Sequence, residues 1–195
     1  MVLIKSKFKN INLLLIAIVV SLLMSCGGDA SKQPTDEKGF LAIEEELKNK
    51  FGDNAYYTDL TITYNKSIGN IIGVTVTEVP ESLKMEQWNS TQGNWKQNQE
   101  ISLEVPQGSK ASDFMFQLNE NINLSKLGEL TEKSIAQLKA EKDLNNPILS
   151  MAFVKFPKNG ELSKTEYAVR LEPEHGGTSF TFYYTLGGDL IKMDY

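Results

Sequence analysis

The chain has very little cysteine, histidine and arginine. Cys26, His175 and Arg170 are each the only residue of their type among 195. A lone cysteine excludes an intramolecular disulfide, so the folded part must depend on its core alone. A lone histidine leaves a transition-metal site short of ligands, and a lone arginine argues against an arginine-based phosphate site.

Positive charge is also scarce. The chain has 20 lysine and arginine residues against 25 acidic ones, a net charge of −5. Proteins that bind nucleic acid need basic surfaces to neutralise phosphates. The composition therefore predicts an acidic, solvated surface and no nucleic-acid partner.

The sequence lacks the common catalytic motifs. It has no Gly-x-Ser-x-Gly elbow, no phosphate-binding glycine loop and no His-Glu-x-x-His pair. Glu172, Glu174 and His175 stand before Gly176-Gly177, which is typical of a turn, and the Glu44-Glu45-Glu46 run reads as solvated charge. We predict no catalytic residues, no metal and no cofactor, and a hydrolase with paired carboxylates is the remaining enzymatic alternative.

The N-terminus has the three parts of an export signal. Lys5, Lys7 and Lys9 form a positive region, and an apolar run follows between Leu13 and Met24. This run of about 12 residues is too short to span a bilayer, which needs roughly 20, and suits the core of a signal peptide.

The end of this segment, Leu23-Met24-Ser25-Cys26, resembles the lipobox of bacterial lipoproteins, with Met24 a less usual residue at its position. The resemblance implies cleavage before Cys26, removal of residues 1–25 as a signal peptide, and lipid chains of the palmitate type on Cys26. More than one acyl chain gives stable membrane attachment. The mature chain would carry 17 basic against 25 acidic residues, a net charge of −8.

The residue after the cysteine bears on localisation. In the sorting rule of enteric bacteria an Asp at this position retains lipoproteins in the inner membrane, and here it is Gly27. The resemblance therefore implies a cell-envelope protein of the outer membrane. It does not decide between the periplasmic face and the cell surface. Residues 26–38 are small and polar, which predicts a flexible tether.

Residues 39–195 are long enough for one domain with its own core. Phe40, Ile43, Leu47 and Phe51 recur at helical spacing and predict a helix over 36–51. Alternation predicts strands over 56–64, 72–76 and 101–105, with Tyr56, Leu60, Ile62 and Tyr64 on one face of the first. Between them, residues 80–88 suggest a short helix beginning at Pro80, and 89–94 a loop.

The second half repeats this order. A helix is predicted over 124–142, with Leu127, Leu130, Ile135 and Leu138 facing inward, and strands over 148–156, 165–172, 179–186 and 189–194. We predict an α+β fold with two helices on one antiparallel sheet, formed by tandem α-β-β-β halves at about 39–105 and 123–195. By element order it resembles the PepSY-like and β-lactamase-inhibitor-protein-like envelope domains. The sequence leaves two alternatives for residues 106–122, a strand or a buried loop.

Aromatic residues are the candidate binding residues. Trp88 and Trp95 flank a polar loop, where they either stack on sugar rings or a peptide, or pack against the helix and the sheet. Tyr183 lies opposite Phe180, Phe182 and Tyr184 on its strand, so the second half of the sheet is apolar on both faces. The second face is either covered by residues 106–122 or open to a partner.

These observations favour a lipid-anchored, non-catalytic envelope protein that binds another protein or an envelope polymer. The alternative is a small-ligand or glycan binder that uses Trp88 and Trp95.

Overall fold

The computed structural model describes residues 29–142, 144 and 146–195, so the predicted signal peptide and Cys26 lie outside the described residues. The helices are α1 (Glu37–Phe51) and α2 (Leu124–Lys142). The strands are β1 (Tyr56–Asn65), β2 (Gly69–Thr77), β3 (Lys84–Thr91), β4 (Asn94–Ser102), β5 (Pro147–Lys155), β6 (Glu166–Pro173), β7 (Phe180–Thr185) and β8 (Leu190–Asp194). The predicted α+β class is confirmed.

The strands of the described chain form one antiparallel sheet in the order β4-β3-β2-β1-β5-β6-β7-β8. The first strand of each half lies at the centre, where Ile62 of β1 pairs with Ala152 of β5. The remaining strands follow outward in chain order on both sides. Each half contributes a helix and four strands. The first half therefore has one strand more than the predicted three, and the second half has the four strands for which ranges were predicted.

Helix α1 forms where the sequence predicts it because its local signals agree. The Asp36 side chain accepts a hydrogen bond from the Gly39 N–H at 2.8 Å and caps the first turn. Gly52, with φ 89°, ends the helix. The predicted apolar stripe is buried against the sheet.

Helix α2 packs beside α1 on the same face of the sheet. The Asn123 side chain caps it by accepting from the Lys126 N–H at 2.8 Å. Of the four residues predicted to face inward, Leu127, Leu130 and Leu138 are buried, and Ile135 is half-buried at the edge of the core. The helix–sheet interface contains most of the apolar core.

The prediction of which β1 residues face the core is wrong at the start of the strand. A register irregularity against β2 lies between Tyr57 and Asp59, so that Tyr57 joins Leu60 on the helix-covered face. Tyr57 is 1% exposed, whereas strict alternation placed it on the wet face. A bulge inserts one residue and shifts the alternation, and no local sequence signal marked it.

The predicted helix over 80–88 is also wrong. Only Pro80–Ser82 forms a 3₁₀ turn, and Leu83, at φ 57°, leads into strand β3. The residues predicted as a loop, 89–94, form the β3–β4 hairpin, whose central residues Gln92 and Gly93 have φ 51° and 73°. Positive φ at both positions matches the twist of a tight hairpin, and pairing on both sides of β3 outweighs the local helix signal.

Strand β4 lies earlier than the predicted strand over 101–105. Its residues are mostly exposed because β4 is an edge strand of the sheet. A polar edge strand lacks the apolar alternation from which strands are recognised. Met85 of β3 forms a small second core with Ala111 and Met115 of the following connection, and Tyr56 and Ile101 pack against it.

Residues 106–122 form an irregular connection and not a strand, and the connection is buried only in part. Residues 106–110 and 119–121 are exposed, and the buried side chains are Ala111, Met115, Phe116, Leu118 and Ile122. One 3₁₀ turn, Ala111–Phe114, precedes a single bridge between Phe116 and Tyr57. The loop lies against Tyr56 and Met85, at the end of the first-half strands.

The tether prediction is wrong for residues 29–38. Ala30 and Ser31 are 0% and 2% exposed. The Ala30 N–H donates to Glu46 at 3.0 Å, and the Asn70 side chain donates to the Ala30 and Gln33 carbonyls at 3.1 and 2.9 Å. Short side chains let this segment lie flat on the domain, so the folded unit includes Asp29. Residues 26–28 lie outside the described residues.

Candidate functional site

The two tryptophans meet on the helix-covered side of the sheet. Trp88 of β3 and Trp95 of β4 contact the Phe51 ring edge-on, with centroid distances of 5.9 and 5.3 Å. The Lys50 ammonium lies 4.1 Å from the Trp88 centroid. Both indoles are half-buried, so they form an aromatic cluster at the C-terminal end of α1.

Both indole N–H groups have partners within the chain. Trp95 donates to Glu46 at 2.7 Å, and Trp88 donates to Glu86 at 2.8 Å. A buried or half-buried indole normally satisfies its single donor in this way. The contacts match the packing interpretation, although Trp88 lies on a strand and not on the predicted helix. Glycan binding by this pair stays a prediction.

Tyr183 lies on the opposite, helix-free face. Cross-strand pairing aligns Thr61, Phe153, Ala168, Tyr183 and Lys192 in one row across five strands. Phe153 and Tyr183 are half-buried. One prediction was that residues 106–122 cover this face. That prediction is wrong, because the segment packs at the end of the first-half strands.

Two lysines flank the Tyr183 ring. The Lys192 and Lys155 ammonium groups lie 4.7 and 5.1 Å from its centroid. Each lysine also pairs with a carboxylate: Lys192 with Asp194 at 2.6 Å and Lys155 with Glu166 at 2.7 Å. We call Met151, Phe153, Ala168 and Tyr183, with these flanking ion pairs, the Tyr183 face.

His175 occupies an exposed turn after β6, as the sequence predicts. Neighbouring Glu174 accepts from the Lys66 ammonium at 2.7 Å, and this contact lowers the pKa of the Glu174 carboxyl. Within the part of the chain that the structure describes, no three His, Cys, Asp or Glu side chains group as metal ligands.

Within the acidic run of α1, Glu45 is exposed as the sequence suggested, but Glu44 is not solvated charge. Glu44 is 5% exposed. One of its oxygens accepts from the Leu124 N–H, the first amide of α2, at 2.7 Å, and the other accepts from Lys48 at 2.6 Å. The spacing of the residues could have predicted this burial. Glu44 follows Phe40 by four residues and precedes Leu47 by three, so it lies on the same face of the helix as the buried stripe.

Two buried tyrosines complete this polar cluster. The Tyr167 hydroxyl accepts from the Asn123 N–H at 2.8 Å and donates to the Asn123 carbonyl at 3.0 Å. Burial raises the pKa of Tyr167 to about 12, so it is neutral at physiological pH. Burial also raises the pKa of Tyr57, and its hydroxyl has no hydrogen-bond partner among the described residues. Because both rings are almost wholly enclosed, the cluster joins helices to sheet and is not open to a substrate.

A cleft of about 810 Å³ lies where the N-terminal segment meets the β1–β2 turn. Its walls are formed by residues of 29–35, by Tyr64, by Ser67, Ile68 and Gly69 of the turn, and by Gln92 of the next hairpin. Asp29 and Lys32 are the charged residues of these walls, and the exposed lining is more apolar than polar, with Pro34, Tyr64 and Ile68 among its residues. The cleft has the chemistry to contact polar groups and no arrangement suited to proton transfer.

Among the described residues, neither helix combines the length and the apolar character that crossing a bilayer requires. Comparison with protein-family models found no match, and no curated protein and no solved structure is significantly similar to the chain.

Proposed function

We propose that this protein is a lipoprotein of the bacterial cell envelope, attached to the outer membrane by lipid on Cys26, and that it acts as a non-catalytic binding module. The lipobox-like residues 23–26 support the anchor. The observation that carries the binding role is the Tyr183 face, where half-buried aromatic side chains lie on the side of the sheet that no helix covers.

The chemistry of the Tyr183 face suits a protein partner. Phe153 and Tyr183 form an apolar centre. The Lys155–Glu166 and Lys192–Asp194 ion pairs border it. Protein interfaces combine such a centre with a polar rim, and tyrosine is enriched among the residues that contribute most binding energy. Because the lysines are paired with carboxylates of the same chain, the face offers little net charge to a polyanion.

Affinity capture of the tagged protein from cross-linked cells tests this role. Tyr183→Ala should reduce recovery of a specific partner about tenfold, because removing an interface tyrosine commonly costs more than 1 kcal/mol of binding energy. Leu41→Ala is the matched control, since Leu41 is an apolar residue 44% exposed on α1, on the other side of the sheet from the Tyr183 face.

Equal recovery with wild type and Tyr183→Ala would contradict the assignment of this face. Cys26→Ala tests the anchor separately, because loss of lipid should release the protein from the membrane fraction.

Glycan or small-ligand binding by the tryptophan cluster is the alternative. The chain has two tryptophans, so intrinsic fluorescence reports directly on this cluster. Because both indoles pack on Phe51 and donate to Glu46 or Glu86, we expect unchanged emission when peptidoglycan fragments or oligosaccharides are added.

A saturable emission change with one glycan would support the alternative over the Tyr183 face. Hydrolysis by paired carboxylates, the remaining enzymatic prediction, requires turnover of peptidoglycan or peptides by the purified chain.

A further inference from the structure

One end of the sheet carries the beginning of the folded chain. The 3₁₀ turn Ala30–Lys32 contacts Gly69 in the β1–β2 turn, and Asp29 contacts Gly93 in the β3–β4 turn. Lys66 of the first turn pairs with Glu174 of the β6–β7 loop at 2.7 Å. We call this set (residues 29–35, 65–69, 92–93 and 173–179) the Asp29 end. The Asp113 end, formed by residues 106–114 and 157–165, lies at the opposite ends of the strands.

The first described residues are held firmly on the domain. Ala30 and Ser31 are buried, and three hydrogen bonds to Glu46 and Asn70 hold the segment from Ala30 to Gln33. The Asp29 carboxylate accepts from both the amide and the hydroxyl of Ser31, at 3.0 and 2.6 Å. Asp29 therefore has a defined place on the surface of the folded unit.

The chain from Cys26 to Asp29 is short. Three residues span at most about 11 Å between these Cα atoms, even when fully extended. If Cys26 carries the lipid anchor, its backbone must stay at the level of the headgroups, and Asp29 must stay within that reach of them. A flexible tether through residue 38 would have allowed many orientations of the domain. Because residues 29–38 are packed on the domain, most of that predicted tether is not free to move.

We propose that the Asp29 end rests on the phospholipid headgroups of the membrane that holds Cys26, so that the domain has one preferred orientation. This proposal rests on the lipid anchor of the proposed function and adds which surface meets the bilayer.

The side chains at the Asp29 end suit a headgroup surface. Lys32 and Lys66, with side chains 82% and 46% exposed, pair with Asp29 at 3.2 Å and with Glu174 at 2.7 Å. This end therefore presents charges of both signs, which match the two charges of a zwitterionic phospholipid headgroup. Tyr195 packs on Phe180 at the start of β7, beside the same loop, and is 79% exposed. Tyrosine is enriched at membrane interfaces because its ring is amphipathic. The 810 Å³ cleft opens between these turns and offers hydroxyl and amide groups to headgroups.

This orientation decides which surfaces a partner can reach. Strand β1 has ten residues and runs between the two ends, a length of about 33 Å. With the Asp29 end on the membrane, the Asp113 end stands roughly that far from the lipid. The Tyr183 face then points sideways, where neighbouring membrane proteins can contact it.

Distance from lipid can be measured with single added cysteines. Ser67→Cys places a thiol at the Asp29 end, and Ser109→Cys places one at the Asp113 end, both at exposed serines. The full chain, processed in cells and purified from membranes, is labelled with a fluorophore. It is then placed in vesicles of phosphatidylcholine and phosphatidylglycerol containing nitroxide-headgroup lipid.

We expect several-fold stronger quenching of the label at position 67 than at 109. Insertion of a Gly/Ser linker of about twelve residues between Gly28 and Asp29 should reduce the difference, because it restores a flexible connection. Equal quenching at the two positions, or stronger quenching at 109, would overturn the proposed orientation and leave the anchor intact.

A thiol count on the unmodified chain separates the two proposals. Because Cys26 is the only cysteine, an acylated chain has no reactive thiol. One free thiol per chain would overturn the lipid anchor, and with it the orientation.

Discussion

Glu44→Ala should lower the free energy of unfolding by about 3 kcal/mol, because the change leaves a buried amide without an acceptor and separates a half-buried ion pair. The Glu44 carboxylate accepts from the Leu124 N–H at 2.7 Å and from Lys48 at 2.6 Å. It thereby connects α1 to the first turn of α2. Lys48 is 30% exposed at its side chain and can turn to water, so most of the loss comes from the Leu124 amide and from lost packing.

Chemical denaturation at neutral pH measures this difference. Glu45→Ala is the matched control, because Glu45 is the exposed neighbour in the same helix and should change stability by less than about 0.5 kcal/mol. Glu44→Gln should lose about 1 kcal/mol, since its amide oxygen can still accept from Leu124. Similar stabilities of the Glu44→Ala and Glu45→Ala variants would contradict a structural role for this carboxylate.

Gly69→Ala should also destabilise the fold by about 3 kcal/mol, for a steric reason. Gly69 has φ +80°, and a Cβ added there would lie 1.9 Å from the Ser31 carbonyl oxygen. The left-handed conformation costs a non-glycine residue about 1 kcal/mol, and displacing the buried N-terminal segment adds the remainder. Gly160 occupies the corresponding place in the second half, 2.1 Å from the Asp113 carbonyl oxygen with φ +72°, so Gly160→Ala should behave alike.

Thermal and urea unfolding of these variants can be compared with Gly108→Ala. Gly108 has φ +85° and no atom within 4 Å of an added Cβ, so this control isolates the conformational cost of about 1 kcal/mol. Equal losses at positions 69 and 108 would mean that the segment at Ser31 moves aside freely. That result would also weaken the argument for a fixed orientation on the membrane.

Much of the fold is predictable from local patterns. Both helices and the four strands of the second half lie within about two residues of their predicted bounds. The caps Asp36 and Gly52 and the 3.6-residue period of the stripes act within a few residues of each other. Gly69 and Gly160 lie at the turn between the first and second strands of their halves, and each comes close to a preceding 3₁₀ turn, which supports the repeat of the two halves.

The candidate site was only partly predictable. Alternation along β7 placed Tyr183 opposite Phe182, and the structure has this arrangement. Alternation cannot say which face a distant loop covers, and residues 106–122 cover the first-half sheet end instead. The exposure of the Tyr183 face was therefore decided by where one connection packs.

The sequence by itself determined the fold class, the two amphipathic helices, the second-half strands and the lipobox-like pattern at Cys26, because each depends on neighbouring residues. The tertiary structure decided which polar residues are buried and where the folded unit begins. Glu44 is enclosed because α2 begins against it, β4 is a strand because β3 offers it an edge, and Ala30 is buried because Glu46 and Asn70 satisfy its backbone. The partners of Glu44 and Ala30 are at least 16 residues away in the chain, beyond the range over which periodicity and capping carry information. Strand β4 pairs with its hairpin neighbour, but its own mostly exposed residues carry no apolar alternation that marks a strand.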